Sequence, residues 1–191
     1  MATSTFHLAQ YISQNRQEIL EEWISEQLNA ATWRPDLLTK EELRQQSSEF
    51  LSLFIEAIRT GSLTDIDDPV WESVKSMLSE VSRSRAFKGF TPSETATFIF
   101  SLKQPLFSRF VRENTDNAIE NIAQVWQASV LIDKLGLYTT EIFIQSRESL
   151  IRRQQQEMME LSTPVVKLWT GVLALPLIGT LDSERTQMVM E

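Results

Sequence analysis

The sequence predicts a mainly α-helical fold that closes on a short β segment. Apolar residues recur at three- and four-residue spacing through most of the first 161 positions. Helix-start signals stand at intervals along the same stretch: Thr39 with Glu42, Asp68 with Pro69, and Thr91 with Pro92 and Glu94. After Pro164 the pattern changes to two apolar runs, "PVVKLW" and "VLALPLIG", parted by Thr170 and Gly171 as a hairpin would be.

The first helix is expected from about Phe6 to Asn29, with Leu8, Ile12, Ile19, Trp23, Ile24 and Leu28 on its apolar face. "TWRPDLLTKEELRQQ" ends it, because Pro35 disfavours helix at Arg34. Thr39 and Glu42 then form a capping box for a second helix carrying Leu43, Phe50, Leu51, Phe54, Ile55 and Ile58, which stops near Gly61. Asp68 and Pro69 read as N-cap and first residue of a third helix with Val70, Val74, Met77, Leu78 and Val81 on one face, ending near Gly89. The fourth starts at Thr91 and holds Phe98, Ile99, Leu102, Leu106, Phe107 and Phe110; Pro105 inside it should kink it or end its regular part.

The fifth segment, from about Asp116 to Leu161, contains no proline and one glycine, Gly136. As one helix it would run about 70 Å at 1.5 Å per residue. Ala123, Val130, Leu137, Ile144, Ile151 and Met158 recur every seven residues, one seam position of a heptad, while the matching second position is polar at Thr140, Arg147 and Gln154. The half-made seam fits a dimer stalk or signal-transmitting connector; the alternative is two helices broken near Gly136. Beyond the hairpin, Pro176 limits the second strand, and Asp182 or Ser183 is placed to cap a further helix.

Several function classes are disfavoured. A net charge of −8 argues against nucleic-acid or anionic-membrane binding. No cysteine is present, so thiolate nucleophiles and cysteine metal sites are excluded. The one histidine, His7, precedes any pocket that could seat a haem, and no cofactor is expected. "DIDD" (Asp65 to Asp68) lacks the glycine and distal glutamate of a calcium loop and is better read as helix capping. Neither a Gly-rich phosphate loop nor a G-x-S-x-G elbow occurs, so no enzyme is expected. With no leader pattern and no apolar run of membrane-spanning length, the expected setting is the cytoplasm.

Two stretches resemble a known family. "SRSRAFKGFTPSETATFIFSLKQPLF" (Ser82 to Phe107) is similar to the signature of the N-terminal domain of RsbR-type stressosome proteins, co-antagonists of the RsbT kinase. "LIRRQQQEMMELSTPVVKLWTGVLALPLIGTLDSERTQMVME" (Leu150 to Glu191) resembles their connector and the opening of their C-terminal STAS domain, the domain shared by sulfate transporters and anti-sigma factor antagonists. The resemblance implies a globin-like helical bundle without haem that forms a homodimer, a long connector helix, and a truncated α/β STAS segment. The expected division is 1–115 for the sensor domain, 116–161 for the connector and 162–191 for an incomplete STAS domain. The implied partners are RsbS-like STAS proteins and an RsbT-like serine/threonine kinase, released under stress and tuned by phosphorylation of STAS hydroxyls.

In the family a phospho-acceptor threonine follows the aspartate of "GTIDTER"; here the stretch is "GTLDSER" and the matching residue is Ser183. A helix start there would favour a phosphate, and would equally explain Ser183 as a plain N-cap. The remaining STAS strands are missing from this sequence, and a lone hairpin with open edges is marginal. The tail is therefore expected to be disordered, exchanged between protomers or a product of truncation. Two site expectations follow: a connector and dimer seam at Val130, Leu137, Ile144, Ile151 and Met158, and, as the alternative function, a small-molecule sensor pocket around Phe98 and Phe107.

Overall fold

The computed structural model describes residues 3–60, 65–113, 118–161 and 166–174. The chain is mainly helical: α1 (Thr3–Gln14), α2 (Arg16–Asn29), α3 (Lys40–Thr60), a 3₁₀ turn (Pro69–Trp71) leading into α4 (Glu72–Lys88), α5 (Pro92–Phe100), α6 (Lys103–Glu113) and α7 (Ala118–Leu161). A hairpin of β1 (Val166–Trp169) and β2 (Val172–Ala174) follows. Compact packing divides the chain into two units, 1–147 and 148–191.

The helix starts form as the capping signals predict. Thr39 accepts from the Glu42 N–H at 3.1 Å while the Glu42 carboxylate accepts from the Thr39 N–H at 2.9 Å. Thr91 and Glu94 make the same reciprocal pair at 3.1 and 2.7 Å, with Pro92 at the first helical position. Asp68 caps the 3₁₀ turn through the Val70 N–H, at 3.2 Å. At the end of α4, Gly89 takes φ 94°, a conformation costly for any residue with a Cβ. That lets the Gly89 and Phe90 N–H groups return to the Arg85 carbonyl. The expected stop near Gly61 lies at the edge of the described residues, α3 ending at Thr60.

Two expected helices are each two. The segment from Phe6 to Asn29 breaks at Asn15, whose side-chain amide donates to the Tyr11 carbonyl at 3.0 Å. The Asn15 backbone N–H donates to the same carbonyl at 3.0 Å, so the side chain adds a local bond of the kind that favours helix ends. The fourth helix stops at Phe100 and restarts at Lys103, which moves Pro105 into a first turn where its missing N–H is not needed. α7, by contrast, is one 44-residue helix through Gly136.

In the first unit, α3 packs against α1, α2 and α4 around an aromatic chain. Trp23 lies 5.7 Å from Phe50 and 5.2 Å from Phe98, Phe50 stacks on Phe54 at 5.7 Å, and Phe54 meets Trp71 at 5.9 Å. The buried Trp23 N–H donates to Ser101 Oγ at 2.9 Å, so the turn between α5 and α6 is tied to the core. α7 enters the same core with Ala128, Leu131, Ile132, Leu135 and Phe143. Each of its large apolar side chains contributes about 1.5–3 kcal/mol on full burial. Buried hydroxyls are satisfied: Ser82 donates to the Thr139 carbonyl at 3.0 Å, and Thr139 to the Leu135 carbonyl at 2.7 Å. Gly136 is a contact glycine, not a breaker: a Cβ there would collide with the Phe100 ring.

In the second unit the hairpin pairs Val166 with Ala174 and Lys167 with Leu173, then shifts register by a bulge before Trp169 meets Val172. Gly171 turns the chain at φ 83°. Pro176, Asp182 and Ser183 lie outside the described residues.

Two predictions follow from this packing. In an ordinary helix interior, Gly→Ala gains about 0.5–1 kcal/mol. Gly136→Ala should instead lose about 1–3 kcal/mol from overpacking. In a Phe100→Ala background the same change should become neutral or stabilising; urea denaturation of the four proteins measures this. The second concerns acid. Hydrogen bonds from Thr91 and from Thr39 hold the Glu94 and Glu42 carboxyls below their ordinary value of 4.5. Stability from such groups is complete above the unfolded value and lost as pH falls through the folded one. Glu94→Gln should be about 0.3–1 kcal/mol less stable than wild type at pH 7. The gap should close as pH falls below 4.5, read by denaturation at several pH values.

Candidate functional site

α7 carries two apolar faces. One is the core face just described. The other is exposed: Leu137 is 61% exposed and Met158 71%, with Ile144 and Ile151 near one half. These four seam residues, spaced by seven, share one side of the helix, about 160° around from Leu135 and Thr139 at 100° per residue. Val130, at the head of the seam, is half-buried. Ile119, Ile122 and Trp126 prolong the exposed stripe toward the start of α7. The sequence reading did not single them out, although their three- and four-residue spacing was a legible signal.

The polar second position of the seam is partly taken up within the chain. The Arg147 guanidinium donates to the Ala86 carbonyl at 3.3 Å, one of the last four of α4, which the helix itself leaves without partners. Thr140 donates to the Gly136 carbonyl at 3.0 Å, and Gln154 is exposed. Ser79 meets the Tyr138 hydroxyl at 2.8 Å, and Lys103 pairs with Asp133 at 2.7 Å. α7 is thus fastened to α4 and α6 on both sides: Tyr138 and Thr139 hold it from the core side, while Asp133 and Arg147, three or four residues from Val130, Leu137, Ile144 and Ile151, hold it from beside the stripe.

The expected pocket residues separate. Phe98, fully buried, walls a small cleft with about 30 Å³ of internal space, room for about one water. Phe107, half-buried on α6, is not among the residues lining that cleft. The same cleft is lined by a residue the sequence reading did not single out: Arg85 of α4, 3% exposed. Its guanidinium lies 4.7 Å from the Phe98 ring centre and 5.3 Å from that of Phe90. It donates to Gln46 Oε1 at 3.2 Å and to the Glu94 main-chain carbonyl at 3.5 Å, and Nε has no protein acceptor. Burial pulls its pKa down to about 10, partly offset by the Glu94 charge, so it stays a cation at neutral pH. The Glu94 carboxylate, also on the cleft wall, is taken up by the Thr91 N–H and by Arg34 at 3.4 Å.

Among the described residues, no group of three His, Asp or Glu is placed to hold a metal ion, and no helix is long and apolar enough to cross a membrane. Ser183 lies outside the described residues. The side chain of His7 is likewise outside them.

The described chain is mainly helical, and its last helix carries an exposed apolar stripe. The family is shown by comparison: the sequence model of the RsbT co-antagonist protein rsbRD N-terminal domain matches residues 17–158, and the chain belongs to that family. It is similar to three proteins of Bacillus subtilis (strain 168). It is 22% identical over 185 residues to RsbT co-antagonist protein RsbRA, covering 95% of this chain and 62% of that one. It is 25% identical over 206 residues to RsbT co-antagonist protein RsbRB, covering 95% and 67%. It is 20% identical over 190 residues to RsbT co-antagonist protein RsbRD, covering 96% and 67%. The chain therefore spans 62% to 67% of the length of these relatives. No solved structure matches it significantly.

Proposed function

We propose that this chain is a non-enzymatic, cytoplasmic regulator of stress signalling. In this reading it forms a homodimer through the exposed stripe of α7 and controls an RsbT-like serine/threonine kinase in a complex with RsbS-like STAS proteins. The observation that carries the reading is the second apolar face of α7, on a chain whose family members are named for antagonism of RsbT. An apolar row on a helix packed on its other side as far as Phe143, and continuing at Ile151 and Met158, fits a partner helix of the same kind. The hairpin fits the opening of a STAS domain, with Ser183 as its phospho-acceptor, and the domain division 1–115, 116–161 and 162–191 fits input, relay and output.

Relay follows from the weakness of the seam. A coiled coil with Leu137, Ile144, Ile151 and Met158 at one position and Thr140, Arg147 and Gln154 at the other has little to hold a single register. A change in the bundle then shifts its population between registers at low cost. The alternative reading, a small molecule against Phe98 and Phe107 as the input, is the weaker one, since the cleft beside Phe98 has room for about one water.

The test is a graft. Residues 1–161 replace the matching segment of RsbRA in Bacillus subtilis, with and without Ile144→Asp and Ile151→Asp. The unmodified graft should restrain a stress-responsive reporter in unstressed cells and release it on stress; the aspartate graft should lose dimer mass by light scattering and lose restraint. A graft indistinguishable from deletion of RsbRA, or aspartates that change neither mass nor restraint, would overturn the reading.

A further inference from the structure

At the head of α7 the usual polarity of a surface helix is inverted. On the side turned into the bundle stand Asn121, Gln124 and Ala128, all buried. On the opposite side stand Ile119, 88% exposed, Ile122, 66%, and Trp126, 70%. A helix covered by its own core alone turns its large apolar side chains inward and leaves its amides in water. Rotation does not relieve the inversion, because the Phe100 ring against Gly136 and the burial of Leu131, Ile132 and Leu135 set the orientation of the same helix. No charged side chain holds the outer face in water either. Residues 121–132 contain no Asp, Glu, Lys or Arg, in a chain of which 23% is charged.

The same stretch completes the seam. Trp126 lies seven residues before Asp133 and so takes the second seam position, which Asp133, Thr140, Arg147 and Gln154 hold from there on. Ile119 precedes Trp126 by another seven, and Ala123 and Val130 hold the first position. Both positions are therefore apolar from Ile119 to Val130, and only one of them beyond. Asp133, paired with Lys103 at 2.7 Å, ends the run. Charged residues then return, among them Glu148, Arg152, Arg153 and Glu157. We infer that residues 119–130 are the clasp of the homodimer, with the Trp126 indole as its principal contact. The occupant of this face is the same face of a second copy. Its heptad spacing matches itself, and two chains of net charge −8 approach closely at least cost where each carries no charge. A basic partner would find no carboxylate on residues 121–132 to pair with. The inference rests on the reading of the α7 stripe as a dimer surface and adds where its binding free energy is concentrated. An apolar row centred on a tryptophan is the kind of patch that carries it. The seam beyond Asp133 is then free to change register while the two copies stay joined.

The test is an alanine scan of the intact chain, with the dimer dissociation constant read by sedimentation equilibrium. Trp126→Ala should weaken the dimer by about thirtyfold or more, Ile119→Ala by about tenfold, and Leu137→Ala and Ile144→Ala by less than about fivefold. Trp126→Phe should keep most of the affinity. Alanine is the gauge because it removes contact, whereas aspartate adds repulsion wherever it stands on the seam. Trp126 and Ile119 are exposed in the single chain, so both alanine variants should keep the far-UV circular dichroism of wild type. If Trp126→Ala does not fold, Ile119→Ala against Leu137→Ala decides the matter. A wild-type chain that stays monomeric at every concentration would overturn the dimer reading and the clasp together. A wild-type dimer that Leu137→Ala or Ile144→Ala weakens as much as the variants at 119 and 126 would leave the dimer standing and overturn the clasp.

Discussion

The rotation of α7 about its own axis depends on one close approach. The Phe100 ring, at the end of α5, lies on the helix backbone at Gly136, where no other residue leaves room for it. With that point set, helical geometry decides the rest: Leu131, Ile132, Leu135, Thr139 and Phe143 turn into the bundle. Leu137 and Ile144 must then turn out. The exposed stripe is thus the other half of a packing decision made in the core. Rotating α7 to hide it would lift Leu131 and Leu135 out of the core at about 1.5–3 kcal/mol each. It would also pull Ser82 from the Thr139 carbonyl.

What was legible in the sequence was local. Both capping boxes, the Asp68–Pro69 start and the αL glycine at Gly89 involve residues a few positions apart, and each forms as read. The hairpin at Thr170–Gly171 is of the same kind. The breaks at Asn15 and after Phe100 were missed because apolar spacing runs through them. In the first, the Asn15 side-chain amide shares the Tyr11 carbonyl with the Asn15 backbone N–H; in the second, Ser101 is held by Trp23, 78 residues away in sequence. Gly136 left two readings open, one helix or two broken near it; the helix runs through it, and the glycine serves a distant partner, the Phe100 ring.

The sites show the same division. The seven-residue period exposed the seam as far as Met158, because periodicity is a property of the helix alone. The period hid Ile119, Ile122 and Trp126, which share the face at a different spacing. Arg85 was not legible at all. Nothing local in "SRSRAFKGF" sets this arginine apart from its neighbours, and only tertiary packing brings Phe98, Gln46 and Trp33 around it. Phe98 and Phe107 were grouped by helical spacing, but the break between α5 and α6 places them in different settings.

The central claim is that the outward face of α7 joins two copies of this chain. Since the sequence contains no cysteine, single cysteines can be placed along α7 without background. The most direct measurement is disulfide cross-linking between protomers at each position from 137 to 158. The account predicts maxima at Leu137, Ile144, Ile151 and Met158, with minima on the opposite side at Ser149 and Arg153. Cross-linking without a seven-residue period, or strongest at Ser149 and Arg153, would contradict it.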